Sequence, residues 1–336
     1  MANPILIELT RGPLVESWHR GAVAIAAPSG ALAMRIGDVD RPVFPRSAVK
    51  LLQALPLIES GAADRFGFGA AEIALACGSH AGTDRHTQLA AAMLARANLS
   101  PDDLGCGVHA PLAGSAANAL IARGEAPTQL HNNCSGKHAG MLATAVHLKE
   151  PVGHYWEPAH PVQQRVLAAL NDVSGLSLGP DVMGIDGCSV PNWAMPLKVL
   201  ARMFARLVTG EGLKPDRAAA VGRLLEACWQ EPDLVAGKGR ADSVVMRALP
   251  GQVFMKTGAE GVYCGAFADL GLGFALKVDD GTKRAAAGAA MALVERFYAA
   301  ARGLMPYGRI TTWRGMEVGS IRTSDEFAAA LEGLKV

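Results

Sequence analysis

Gln252-Val253-Phe254-Met255-Lys256, Gly261-Val262-Tyr263-Cys264-Gly265-Ala266-Phe267-Ala268 and Gly273-Phe274-Ala275-Leu276-Lys277-Val278 are three apolar runs in close succession. Each is too short for a helix, is rich in aromatic and β-branched side chains, and is bounded by glycine and polar residues, so each reads as a strand. Asp279-Asp280-Gly281 breaks the last run, and an Ala-rich helical pattern follows from about 283 to 301. At the other end of the chain, residues 13–38 read as a β-hairpin. Its first arm runs from Leu14-Val15-Glu16-Ser17-Trp18 to Val23-Ala24-Ile25-Ala26, with a bend near Gly21. Pro28-Ser29-Gly30 then supplies the turn into Ala31-Leu32-Ala33-Met34-Arg35-Ile36. Between these ends, helical periodicity recurs around 71–77, 84–97, 115–123, 136–148, 161–173, 193–208 and 215–229. Strands at both ends with helices between them predict an α/β (α+β) fold in one unit. Residues 1–46 and 250–336 build the sheet subdomain, and residues 47–249 form a helix-rich lobe. Clefts beside such lobes are favoured ligand sites.

Bulk properties narrow the classes of function. A chain of 336 residues can bury a large core. The formal net charge is only +1, which argues against a nucleic-acid footprint and against an electrostatic membrane partner. Glycine, proline or charge interrupts every apolar run before it reaches the length of a membrane span. Met1-Ala2-Asn3-Pro4-Ile5-Leu6-Ile7-Glu8 lacks the basic region and long apolar stretch of a signal peptide, so a cytoplasmic location is expected. The six cysteines, at 77, 106, 134, 188, 228 and 264, are too sparse and irregular for a disulfide framework. Cys77, Cys228 and Cys264 sit in apolar surroundings and read as small buried residues.

The chemistry concentrates in short polar segments. Pro42 and Pro45 close the N-terminal extended part, and Ser47 opens a helical pattern with Val49, Leu51, Leu52 and Leu55. Ser47-Ala48-Val49-Lys50 has the form Ser-x-x-Lys, and Lys256-Thr257-Gly258 follows a strand; the pair is a set used by penicillin-recognising serine enzymes. A serine hydroxyl is a weak nucleophile until a base accepts its proton. One helical turn apart, Ser47 and Lys50 share a face, and burial or a second cation such as Lys256 would favour a neutral lysine. The plain alternative is an N-cap serine with a solvated lysine one turn on. Cys77-Gly78-Ser79-His80-Ala81-Gly82 is a second polar turn, although Gly78 and Gly82 also serve simply to end one helix and admit the next. His80 is given no role as a base.

A third cluster is His131-Asn132-Asn133-Cys134-Ser135-Gly136-Lys137-His138-Ala139-Gly140, which has a counterpart in Gly184-Ile185-Asp186-Gly187-Cys188-Ser189-Val190-Pro191. Each holds one cysteine in a glycine-bounded turn. Thiolate and imidazole suit Zn²⁺, but the spacing matches no common zinc motif, and lysine must lose its proton to bind a metal.

Taken together, these segments resemble the asparaginase family typified by the inducible, thermolabile enzyme of Rhizobium. The resemblance rests on Pro45-Arg46-Ser47-Ala48-Val49-Lys50, Cys77-Gly78-Ser79-His80, the run from Asn132 to Gly140, Asp186 to Pro191 and Lys256-Thr257-Gly258. It implies a fold similar to serine β-lactamases and glutaminases, and hydrolysis of L-asparagine to L-aspartate and ammonia. It also implies two Ser-Lys tandems, Ser47 with Lys50 and Ser79 with Lys256. Zinc would be held by Cys134, Lys137 and Cys188, with Arg46, His138 and Asp186 completing the substrate pocket. A homodimer is expected from the same resemblance. Two alternatives stay open: a glutaminase or β-lactam-recognising serine hydrolase, and a zinc or small-ligand binding protein without turnover.

Overall fold

The computed structural model describes residues 2–305 and 308–334. The chain divides into two compact units. One comprises Met1–Ala48, Met195–Thr209 and Val244–Val336; the other comprises Val49–Ala194 and Gly210–Ser243.

The first unit is built on a seven-stranded antiparallel sheet. Its strands are β1 (Ile5–Arg11), β2 (Leu14–Ala26), β3 (Leu32–Ile36), β4 (Val253–Thr257), β5 (Val262–Phe267), β6 (Leu272–Val278) and β7 (Ile321–Thr323). The order runs β7-β1-β2-β6-β5-β4, with β3 paired to β2. The hairpin and the three C-terminal strands thus stand where the alternation and turn residues place them. The first strand was not among the sequence expectations. Ile5–Arg11 pairs with both β2 and β7, and its Leu6, Ile7 and Leu9 are buried.

Gly21 explains the bend in β2. The strand pairs with β1 up to Arg20 and with β6 from Gly21 onward, and a Cβ at Gly21 would collide with the Lys277 carbonyl. Every residue of β5 is buried, so the sheet is covered on both faces there. The Leu197–Thr209 helix lies on the sheet rather than in the helix-rich lobe where its position in the chain would put it. Gly273 permits this, because a side chain there would strike the backbone of Ala201 and Ala205. That helix starts at Leu197, not 193, because Met195–Pro196 pairs with Pro42–Val43 as a short strand. The Ala-rich Lys283–Phe297 helix also packs on the sheet, and a separate 3₁₀ turn follows it at Ala299–Ala301.

The second unit is helical, apart from the small hairpin Met183–Ile185 with Pro191–Trp193. Its centre is the Ser135–His147 helix, buried at every position from Ser135 through Ala145. Glycines set one face of it. At Gly136 a Cβ would clash with Leu75, and at Gly140 it would lie 3.3 Å from Ala76, so the helix crosses Ala70–Ala76 at close range. Ser47 departs from the expected helix start: Arg46–Val49 is a 3₁₀ turn, and α-helical geometry begins at Lys50. Among the described residues, no helix is long and apolar enough to cross a membrane.

Candidate active site

In the helical unit, two polar turns meet around a buried lysine. The Ala70–Ala76 helix ends at Cys77, and Gly78 passes so close to Leu234 that a Cβ would lie 2.5 Å from its carbonyl oxygen. Ser79 follows, 3% exposed, with its backbone N–H donating to Val235 O at 2.7 Å. Lys50 is wholly buried; its Nζ donates to Gly78 O, and to Asn133 O at 3.2 Å. Asn133 O also accepts the His80 backbone N–H at 3.1 Å. One carbonyl thereby ties the turn bearing Ser79, the turn bearing Cys134, and the Lys50 side chain into one polar cluster.

His80 is a structural member of this cluster. Gly82 N donates to its Nδ1, so Nε2 carries the proton and donates to Ser135 Oγ at 2.8 Å, which in turn donates to Leu130 O. Burial, the stacked His86 ring and Lys50 hold its pKa well below the usual histidine range. Both ring nitrogens are thus engaged in hydrogen bonds.

The sulfur cluster lies one turn away. Asn132 Oδ1 accepts Cys134 N, and Asn132 Nδ2 donates to Cys106 O and Gly107 O, which fixes the loop entering the Ser135–His147 helix. Cys188 sits between the two short strands in a loop closed by Ser189 N to Asp186 O and Asp186 N to Val190 O. Ser189 adopts φ 75°, a left-handed conformation costly for a residue with a side chain. Lys137 Nζ donates to Cys188 Sγ at 3.0 Å, and the Cys134 thiol donates to Asn133 Oδ1 at 3.3 Å. The neighbouring Cys134 thiol, with the Lys137 charge, holds the Cys188 thiol well below its ordinary range. Cys134 keeps its proton, pushed up to about 12 by the neighbouring Cys188 and by burial. Burial works against the charge on Lys137, but Cys188, Cys134 and Asp186 together raise its pKa. The set is a buried ammonium–thiolate pair with a second thiol close by.

His138 is fully buried, and Tyr155, also fully buried, meets its Nδ1 at 2.6 Å while accepting Gly105 N at 2.8 Å. With the phenol donating to Nδ1, the proton of the neutral ring sits on Nε2. Nε2 has no hydrogen-bond partner among the described residues. Burial and the neighbouring Lys137 charge keep this ring neutral.

The sheet unit holds the other expected residues. Arg46 stands at φ 53°, the left-handed region, immediately before Ser47. Gly258 closes the Lys-Thr-Gly strand end against this segment, since a Cβ there would lie 2.7 Å from Pro45 O. Only glycine lets the two sequence signals approach so nearly. Lys256 is completely buried, and its Nζ donates to Thr257 O at 2.9 Å.

The structure therefore gathers Lys50, Ser79, Cys134, Lys137, His138, Asp186 and Cys188 in one unit, and Arg46, Ser47 and Lys256 in the other. Asn133 and Tyr155 were not assigned roles from sequence. Asn133 stood inside a quoted motif; for Tyr155 no local signal existed, because its partner His138 lies 17 residues away. Among the described residues, no group of three or more His, Cys, Asp or Glu is arranged to hold a metal. Two sulfurs with an amine converge instead. Their donor chemistry suits a borderline-soft divalent ion, once Cys134 and Lys137 have given up their protons.

Residues 7–323 match the family model described as L-asparaginase II. None of the curated proteins searched matches the chain. Solved structures similar to it include a β-lactamase from Mycobacterium bovis, 13% identical, covering 80% of this chain and 89% of that one, with a TM-score of 0.40. A β-lactamase from Sphaerobacter thermophilus is 16% identical over 86% of this chain and 93% of its own, with a TM-score of 0.40. A simvastatin synthase mutant from Aspergillus terreus is 11% identical over 80% and 88%, with a TM-score of 0.43.

Proposed function

The chain belongs to the L-asparaginase II family, and from that premise we propose that it is an L-asparagine amidohydrolase releasing L-aspartate and ammonia. The observation that carries this reading is the fully buried Lys50, held by the carbonyls of Gly78 and Asn133. A lysine at that junction stands beside the serine turn on one side and the thiol cluster on the other.

In the proposed reaction a serine hydroxyl, of Ser47 or Ser79, attacks the side-chain amide carbon while its lysine, Lys50 or Lys256, takes the proton. The lysine then returns that proton to the departing nitrogen, and ammonia leaves an acyl-enzyme ester. Water attacks the ester, the acid is released, and the serine is restored. Asp186, Arg46 and His138 are assigned to complete the substrate pocket.

Cys134, Lys137 and Cys188 are proposed to hold zinc, which when bound supplies Lewis-acid polarisation of an oxygen. A cytoplasmic homodimer completes the reading.

The test measures ammonia release from L-asparagine against L-glutamine and a chromogenic β-lactam, together with the metal content of the purified protein. Faster turnover of glutamine or of the β-lactam would replace this reading with the second serine-hydrolase one. Metal without any turnover would make the protein a binding module. Ser47→Ala and Ser79→Ala variants that both keep the parental rate would remove the serine mechanism.

A further inference from the structure

The loop Val235–Arg240 grips the backbone of Ser79 from both sides. Val235 O accepts the Ser79 N–H at 2.7 Å, and Arg240 Nη1 donates to Ser79 O at 3.2 Å. Arg240 Nη1 also reaches Ala236 O at 3.5 Å, which folds the guanidinium back over its own loop. Glycine makes the grip possible. Gly237 has φ +127°, and a Cβ there would lie 2.6 Å from Ala81 Cβ. The loop can therefore lie directly on the Ser79–Ala81 segment, and Arg240 is fixed beside it, half-buried.

Arg240 differs from its neighbours in what it does not meet. In the same unit Arg85, Arg96, Arg123, Arg165, Arg217 and Arg223 each pair with a carboxylate. Arg240 meets only carbonyl oxygens among the described residues, through one of its nitrogens. Its Nε–Nη2 edge, the side of the fork that receives a carboxylate in two parallel hydrogen bonds, is left open. An arginine that two carbonyls hold in place, with that edge free beside a buried serine, is preorganised for an acid.

Resting on the amidohydrolase reading, we propose that Arg240 is the specificity-determining anchor for the α-carboxylate of an amino-acid amide whose side chain is presented beside Ser79. In L-asparagine only Cα and Cβ separate the carboxylate carbon from the amide carbon, so one residue's span from Arg240 reaches the serine turn. With the carboxylate on Arg240, Arg46 and His138 are left to the rest of the proposed pocket.

The proposal is tested on the metal-loaded, full-length protein with Arg240→Gln and Arg240→Lys, each checked for native circular dichroism. Ammonia release is measured from L-asparagine and from 3-aminopropanamide, which lacks the carboxylate. L-Aspartate binding is measured by calorimetry. Arg240→Gln should raise KM for asparagine and weaken aspartate binding by about tenfold to a hundredfold, as expected for loss of a charge-assisted pair. kcat should change less, and kcat/KM for 3-aminopropanamide should not change. Arg240→Lys, which keeps the charge but not the fork, should fall between, and it carries the test alone should Arg240→Gln misfold. Equal losses on both amides, or unchanged aspartate binding, would overturn the anchor. A wild-type protein that binds aspartate through Arg240 yet releases no ammonia would refute the asparaginase reading and leave the anchor standing. Absence of aspartate binding by the wild type would overturn the anchor itself.

Discussion

Two lysines of the helical unit share nearly everything except their partners. Lys50 and Lys137 are 0% and 2% exposed, and each sits just inside a helix that follows a polar turn. Lys50 points at the dipoles of two backbone carbonyls, Gly78 O and Asn133 O. Lys137 points at the sulfur of Cys188, whose charge it stabilises and which stabilises it in return. A buried lysine held only by neutral carbonyls, next to the turn that bears a serine, is free to serve in the proposed proton transfer, whereas one locked to an anion is an anchor. The same residue type, equally buried, thus serves two purposes because of the group it faces.

The largest test of this contrast is kinetic. Lys50→Met should lower the rate of ammonia release by about a thousandfold, within the range for losing a positioned proton acceptor, while bound metal stays stoichiometric. Lys137→Met and Cys188→Ser should instead reduce the metal measured by elemental analysis to traces. If Lys50→Met strips the metal as thoroughly, the two lysines form one site and the contrast fails.

The next effect is on stability. Lys137→Met removes one partner of a buried charge pair and should cost about 3–5 kcal/mol in urea unfolding of the metal-free protein. Lys50→Met leaves two carbonyls short of a donor, and Asn133 O keeps the bond from His80 N. That loss should be about 1–3 kcal/mol. Equal losses would mean that the thiolate contributes no more than a carbonyl does.

The smallest effect is a pH dependence from the neutral histidine of the Lys50 cluster. The folded-state pKa of His80 is depressed below its ordinary 6.5 by burial, His86 and Lys50. The unfolded chain therefore takes up the proton first as pH falls, so stability is full above about pH 6.5 and declines below it. The slope should approach about 1.4 kcal/mol per pH unit for this one group. Denaturant unfolding between pH 5 and pH 8 checks it, and His80→Gln should flatten the curve by that amount. An unchanged curve would place the acid sensitivity elsewhere.

Much of this architecture was legible in the linear order of residues. The seven helical patterns of the middle segment match observed helices to within a few residues, because 3.6-residue periodicity and glycine or proline breaks act over one or two turns. The largest shift is at 193, where Met195–Pro196 is drawn into a strand with Pro42–Val43. The three C-terminal strands were equally plain. Ile5–Arg11 was not, since its role as a strand depends on β7, more than three hundred residues away. Likewise the Ser-x-x-Lys spacing suggested an uninterrupted helix, whereas the strained Arg46 and the 3₁₀ turn answer to the approach of Gly258 on Pro45. Arg240 drew no notice from sequence, because a lone arginine after Gly237-Lys238-Gly239 resembles any solvated loop.

Residue order alone settled the helices of the middle segment and the three C-terminal strands, since these follow from interactions between near neighbours. It also supplied the two Ser-Lys signals and the paired cysteine turns. Which anion or carbonyl each buried lysine faces was decided only when Gly78, Gly136 and Gly258 let distant backbones come within van der Waals contact. A side chain's chemistry is local, but its electrostatic environment is made of groups that packing brings from elsewhere in the chain.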